Sequence, residues 1–157
     1  MKIQEVLDSL PQIEFTNPIR TSTDEKLNHM GVPQVRKPDI DLLPYPDDVT
    51  QVSDEKLGHL LTSYMAWTGY LEYLMVTREA DILLVKNAIS RTVKDQVGSK
   101  GMKKADAERH ETIIALDGIV AELEIQYKTV ESRHRFYDAC SKALSRELTR
   151  RTARYNS

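Results

Sequence analysis

Residues 113–148 read IIALDGIVAELEIQYKTVESRHRFYDACSKALSREL, and this stretch decides the fold. Divided into sevens, it has two mainly apolar positions that are separated alternately by three and four residues. The first position is taken by Ile113, Val120, Tyr127, His134, Ser141 and Leu148, and the second by Leu116, Leu123, Val130, Tyr137 and Leu144. This unbroken heptad pattern predicts one long α-helix whose apolar seam packs against other helices.

An earlier helical pattern and a single break complete the fold prediction. Ser53 is a favourable N-cap residue, two carboxylates follow it, and apolar residues then recur at helical spacing. This pattern predicts a first helix over about residues 54–97. Residues 98–101 (GSKG) interrupt it, and the second helix is expected over about residues 105–154. We therefore predict an all-α fold, a long antiparallel, coiled-coil-like hairpin.

The predicted hairpin domain, residues 53–157, is expected to self-associate. Two helices of this length bury only a small core relative to their exposed surface. Other copies of the chain would supply the helices that cover them. We therefore expect a homo-oligomer. The seam residues assigned to oligomerisation are Ile113, Leu116, Val120, Leu123, Tyr127, Val130, Tyr137, Leu144 and Leu148. Folding the chain back at the connection is expected to bring Arg78 beside Glu124 and Trp67 beside Arg135.

Residues 1–52 predict an extended, acidic N-terminal arm. All six prolines lie in this part of the chain, where they remove backbone donors and fix φ. A short amphipathic helix is expected before Pro11, and an extended chain after it. Scattered apolar residues suit an arm that docks on a partner or on a neighbouring subunit. A disordered tail is the alternative.

Composition and motifs disfavour several classes of protein. With 40% apolar and 29% charged residues, and no apolar run of about 20 residues, the chain is expected to be soluble and cytoplasmic. Its single cysteine, Cys140, excludes an intramolecular disulfide, and no phosphate-binding loop, dinucleotide fingerprint or zinc motif is present. The four histidines are scattered, so we expect no metal, no cofactor and no catalysis.

Positive charge collects at two places, although the net charge is −2. The connection and the C-terminal tail provide the candidate DNA-binding residues Lys86, Arg91, Lys94, Lys100, Lys103, Lys104, Arg146, Arg150, Arg151 and Arg154. Arginine forms bidentate bonds to phosphates, and Tyr155 would be able to stack on an unpaired base. Repetition around an oligomer would raise the avidity of such patches. The alternative is that each block is a solvated face.

Three features within residues 53–155 point to a family. They are YMAW at residues 64–67, a basic end of the first helix at Lys86, Arg91 and Lys94, and FYDACSKAL at residues 136–144 before a basic terminus. In helix order and composition the chain resembles the UvsY-type recombination mediators of bacteriophages. The resemblance implies a ring-forming protein of the host cytoplasm that binds single-stranded DNA. It also implies that the protein helps load a RecA-like recombinase onto strands covered by single-strand-binding protein.

The same resemblance implies DNA contacts by Lys86, Arg91 and Lys94 and assembly through the C-terminal helix. The proline-rich arm departs from the family's shorter start. Two other functions stay open. A structural coiled-coil assembly protein, such as a virion or scaffold component, would pair its arginines with acidic arms of neighbours and would not bind nucleic acid. An adaptor or inhibitor would dock its acidic arm on an enzyme. Sequence-specific duplex recognition is disfavoured, because no helix-turn-helix or zinc-finger pattern is present.

Overall fold

The computed structural model describes residues 25–155, and three helices make up most of this range. The helices are α1 (Asp54–Gly98), the short α2 (Lys104–Glu108) and α3 (Glu111–Tyr155). A 3-10 turn at Val49–Gln51 precedes α1, and residues 25–155 contain no strand. The all-α prediction and the bounds of the first helix are confirmed. Ser53 caps this helix, because its Oγ accepts from the Lys56 backbone N–H at 3.3 Å.

The second predicted helix is interrupted near its start, which corrects the sequence expectation. Arg109 and His110 separate α2 from α3, where continuous helix was predicted. The Nδ1 atom of His110 accepts from the Thr112 backbone N–H at 3.3 Å, so a side chain satisfies one of the free donors at the start of α3. The connection between the two long helices is therefore longer than the predicted four-residue break.

The pairing of α1 with α3 shifts accordingly. Glu124 forms an ion pair with Lys86 at 2.9 Å, and not with Arg78. Arg78 pairs instead with Asp81, three residues along its own helix, at 3.0 Å. The expected contact between Arg78 and Glu124 is wrong, because the connection is longer than predicted and places Glu124 beside a residue nearer the C-terminal end of α1.

One compact unit contains, among the described residues, 34–74 and 130–155. Its segments of α1 and α3 pack antiparallel around an aromatic centre. The ring centroids of Tyr45 and Tyr64 lie 5.8 Å apart, those of Tyr64 and Tyr137 lie 5.7 Å apart, and both pairs are edge to face. Such pairs contribute about 0.5–1.5 kcal/mol beyond the area they bury. The other buried apolar residues of this unit are Leu57, Leu60, Trp67, Leu71, Val130, Cys140 and Leu144.

The C-terminal part of the arm packs on α1 in this unit. Two α1 side chains donate hydrogen bonds to the arm backbone: the Trp67 indole N–H to Ile40 O at 2.8 Å, and the Ser63 hydroxyl to Asp41 O at 3.0 Å. The Lys37 ammonium lies 5.8 Å from the Trp67 ring centroid, which is a cation–π distance. The cation beside Trp67 is therefore Lys37, and the expected partner Arg135 pairs with Glu131 within α3 at 3.0 Å.

The arm also departs from the prediction of an extended chain. Residues 25–29 are helical, and Leu27 is buried. Gly31 ends this helix at φ 75°, a conformation that glycine adopts without strain, and the Val32 N–H donates to Leu27 O at 2.9 Å. The short helix predicted before Pro11 lies outside the described residues.

The other compact unit contains, among the described residues, 25–33 and 75–129. Val85 of α1 packs with Val120 and Leu123 of α3 at its centre. Around this centre lie the partly buried residues Ile82, Ile89, Leu116 and Ile119. The seam of α3 thus faces inward, as the heptad pattern predicts. In the part of the chain that the structure describes, no helix is both long and apolar enough to span a bilayer.

Candidate nucleic-acid interface

The connection between α1 and α3 carries a cluster of exposed cations. Arg91 and Lys94 lie in the last turns of α1, Lys100 and Lys103 lie in the connection, and Lys104 begins α2. All five side chains are exposed, and Asp95 is the one carboxylate between residues 91 and 104. We call these five cations the connection cluster. Its local charge is strongly positive on a chain whose net charge is slightly negative.

Backbone hydrogen bonds hold the connection in a defined path. The Ser99 N–H donates to Asp95 O at 2.8 Å, and the Met102 N–H donates to Gln96 O at 3.1 Å, so the chain turns directly after α1. Gly101 makes this turn with φ 63°, a value that residues with a Cβ rarely adopt. Met102, which lies between Lys100 and Lys103, is half-buried, and its backbone bond to Gln96 ties this part of the connection to the end of α1.

Ion pairs divide the cations of this region into two groups. Lys86 pairs with Glu124 at 2.9 Å, and Lys104 pairs loosely with Glu108 at 3.8 Å. The other four cations of the connection cluster, Arg91, Lys94, Lys100 and Lys103, form no ion pair within residues 25–155. These four are therefore positive charges that the described protein leaves uncompensated. Exposed uncompensated cations attract phosphate groups without selecting a base sequence.

The C-terminal tail uses part of its charge inside the protein. Glu147 accepts two hydrogen bonds from Arg150, at 2.7 and 2.6 Å, and one from Arg151 at 2.8 Å. These bonds lower the pKa of Glu147 to about 2, and those from Arg150 have a larger effect than the one from Arg151. Glu147 is thus a carboxylate that holds two of the four candidate DNA-binding arginines of the tail.

Arg151 is even less available than Arg150 for binding a phosphate. Besides the bond to Glu147, its guanidinium donates to Asp54 Oδ1 at 2.6 Å and to three backbone carbonyls in front of α1. These carbonyls belong to Val49, Thr50 and Val52, at distances of 3.1, 3.0 and 2.7 Å. Arginine has five N–H donors, and these five hydrogen bonds use all of them within the protein. We therefore place Arg151 in the fold and not in the candidate interface.

The remaining tail residues are more open. Arg146 and Arg154 are exposed, and Tyr155 is among the most exposed apolar side chains. Arg150 is half-buried beside Glu147. The tail therefore has fewer cations available for phosphate contacts than the connection cluster has. The sequence alone does not distinguish these two regions. Local sequence does not reveal that Arg151 is engaged, because its partners lie about a hundred residues earlier in the chain.

The residues assigned to oligomerisation are already covered within one chain. Among them, Ile113, Val120, Leu123, Val130, Tyr137 and Leu144 are buried, and Leu116, Tyr127 and Leu148 are half-buried. Val120 and Leu123 pack with Val85 of α1, and Tyr137 meets Tyr64 of α1, so these seam residues are already in contact within one chain. The exposed apolar residues of the long helices include Met65, Leu83, Ile114, Ile125 and Phe136, none of which belongs to the predicted seam.

Other chemistry is limited in the described part of the chain. Cys140 is buried, and burial raises the pKa of its thiol, which disfavours the reactive thiolate. His134 is half-buried on the α3 seam. Residues 25–155 contain no group of three or more histidine, cysteine and carboxylate side chains that could hold a metal ion.

Comparison of the chain with protein-family models, with curated proteins and with solved structures found no match.

Proposed function

We propose that this protein is a single-stranded-DNA-binding recombination mediator that helps a RecA-like recombinase load onto strands covered by single-strand-binding protein. The connection cluster carries the proposal: four of its five exposed cations form no ion pair in the described part of the chain, and they lie at an ordered turn between two long helices. The pattern-level resemblance to UvsY-type mediators adds the preference for a single strand and the link to recombination.

The contacts expected from this cluster are to phosphates. Lysine ammonium groups are compact charges on flexible stems, so they bind a phosphate backbone without reading bases. The principal residues are Lys100 and Lys103, because they lie in the turn itself, and Arg91 and Lys94 extend the cluster along α1. Arg146, Arg154 and Tyr155 are exposed and are secondary candidates for contact with a strand.

A salt titration with matched charge variants tests the proposal. We would measure the affinity for a fluorescent oligothymidine by anisotropy at several salt concentrations, with the variant Lys100→Glu/Lys103→Glu and the control Lys26→Glu/Lys56→Glu. Both double variants change the net charge equally, and the control lysines are exposed and distant in sequence from the connection. Each lost phosphate contact on a single strand lowers the slope of log K against log salt by about 0.7.

We expect the connection variant to bind weakly, with a slope reduced by about 1.4 for two lost contacts, and the control to bind nearly as the wild type does. No binding by the wild type at low salt would end the proposal. Equal weakening of both double variants would also contradict it, since that result assigns the affinity to net charge alone. The mediator role has its own readout: the protein should shorten the lag of a RecA-like recombinase's DNA-dependent ATPase on strands coated with single-strand-binding protein.

A structural assembly protein without nucleic-acid binding is the second candidate. The observation that favours it is the use of Arg150 and Arg151 inside the protein, since part of the tail charge then has a purely structural role. This candidate predicts oligomers in solution together with no detectable DNA affinity at low salt. The anisotropy measurement above therefore separates the two functions.

A further inference from the structure

The turn that carries the connection cluster contains a residue with an unusual backbone conformation. Gly101 has φ 63°, and the other positive φ among residues 25–155 is that of Gly31, at 75°. No residue with a Cβ has a positive φ in this part of the chain. Gly101 lies between Lys100 and Lys103, the two principal cations of the proposed interface. The left-handed conformation therefore occurs at the centre of the cluster.

Hydrogen bonds anchor the backbone on both sides of this glycine. The Met102 N–H donates to Gln96 O at 3.1 Å. Further along the chain, the N–H groups of Asp106 and Ala107 both donate to Lys103 O, each at 3.0 Å. The outer ends of this network are buried, since Gln96 is 8% exposed and Ala107 is 0% exposed. The backbone that carries the two lysines therefore follows one defined path.

A lack of space does not explain the glycine. A Cβ at Gly101 would meet no atom within 4 Å. The same holds for Gly98, but Gly98 is the last residue of α1 and has no left-handed φ. Residues with a Cβ populate the left-handed conformation about fivefold to thirtyfold less than the right-handed one. What Gly101 contributes is therefore the path of the chain.

An ordered turn favours the binding of one strand by both lysines. A lysine side chain has a flexible stem, so its backbone is the part that can be positioned before binding. The Cα atoms of Lys100 and Lys103 are at most about 10 Å apart, because three residues span no more. Both ammonium groups can therefore reach phosphates in the same short segment of a strand. Order in the free protein lowers the entropy that binding has to remove.

We propose that Gly101 is a positioning residue of this interface. Its left-handed conformation holds the backbone of Lys100 and Lys103 in the path that presents both ammonium groups to one strand. Gly101 does not contact the phosphates itself, and it acts through the two lysines. The inference rests on the proposed function and adds to it an uncharged residue, which charge counting does not find.

Substitutions that keep every cation test the inference. Gly101→Val places a β-branched residue at a positive φ, where such residues are outliers. Gly101→Asn is the conservative variant, because asparagine adopts this conformation more readily than most residues with a Cβ. As controls, Gly31→Val applies the same strain at the left-handed glycine of the arm, and Gly98→Val adds the same side chain at the end of α1. None of these variants changes the net charge.

Three measurements are made on each protein. The affinity for a fluorescent oligothymidine is measured by anisotropy at several salt concentrations. Amide hydrogen exchange reports whether the Met102 N–H keeps its bond to Gln96 O. Circular dichroism reports the helix content. Together they separate a change in the turn from a change in the rest of the fold.

We expect Gly101→Val to keep its helix content and to lose the exchange protection of the Met102 N–H. Its affinity for oligothymidine should fall about fivefold or more, because the turn that binds is less populated. The slope of log K against log salt should stay that of the wild type, since every cation remains, whereas Lys100→Glu/Lys103→Glu lowers it. Gly101→Asn, Gly31→Val and Gly98→Val should bind within about twofold of the wild type.

The outcomes distinguish this inference from the proposed function. No binding by the wild type at low salt would end both. If the wild type binds, an equally tight Gly101→Val whose Met102 N–H exchanges freely would show that the ordered turn is not needed. A Met102 N–H that stays protected in Gly101→Val would show that the glycine does not fix the turn. Equal weakening by Gly31→Val would assign the effect to general strain, and each of these three results would overturn the inference alone.

Discussion

Tyr137 offers the most direct test of the core of the aromatic unit. Its side chain is fully buried, and its hydroxyl has no hydrogen-bond partner within residues 25–155. Burial also raises the pKa of this hydroxyl, as expected where the charged form would be poorly solvated. Tyr137→Phe removes the unpaired hydroxyl and keeps the ring that meets Tyr64 edge to face. We therefore expect the variant to be more stable than the wild type.

The size of the gain follows from two opposing effects. A buried polar group without a partner costs roughly 1–3 kcal/mol. Loss of the hydroxyl also removes a few atomic contacts, each about 0.1–0.2 kcal/mol. The free energy of unfolding of Tyr137→Phe should thus rise by about 1–2 kcal/mol. For a chain of this size the melting temperature would increase by about 2–4 °C for each kcal/mol.

Urea unfolding followed by circular dichroism measures this gain. All variants are compared at one protein concentration, because self-association changes apparent stability. The control is Tyr127→Phe, a half-buried position on the same seam, where a change within about 0.5 kcal/mol is expected. A Tyr137→Phe variant less stable than the wild type would refute the reasoning, because its hydroxyl would then make a stabilising hydrogen bond.

Three further predictions concern pH and packing. The pKa of Glu147 is lowered to about 2 from an ordinary 4.5, so its stabilising effect is complete above pH 4.5 and is lost as the pH falls toward 2. In urea titrations, Glu147→Gln should therefore lose less stability than the wild type between pH 4.5 and 2. An equal loss of stability in both proteins would contradict the assignment. Burial raises the pKa of Tyr64 to about 12, so stability should fall as the pH rises from 10 toward 12, and Tyr64→Phe should reduce that fall. If the tyrosinate absorbance that is lost in Tyr64→Phe has its midpoint near pH 10, the prediction is wrong. Leu123→Ala should lower the free energy of unfolding by about 2–5 kcal/mol, because Leu123 is buried, whereas Ile125→Ala should change it by less than about 0.5 kcal/mol, because Ile125 is exposed. Similar effects of the two variants would contradict this orientation of α3.

Much of the candidate interface could be listed from sequence, but not ranked. The sequence names ten candidate DNA-binding cations without distinguishing them. Lys103 is exposed and forms no ion pair in the described part of the chain, whereas Arg151 uses every donor inside the protein. Formal charge is a property of each residue alone. Its availability depends on carboxylates and carbonyls that the fold brings close, and most of those around Arg151 lie just in front of α1 or at its first residue.

The α-helices and their inward faces are determined by the sequence itself. The 3-4 spacing of residues 113–148 is a local geometric property of one helix, and all eleven seam positions are buried or half-buried in the fold. The capping Ser53 and the turn at Gly101 are likewise local. Only the tertiary structure decided the pairing of Glu124 with Lys86, because the register of two helices depends on the length of the connection and on packing between distant residues.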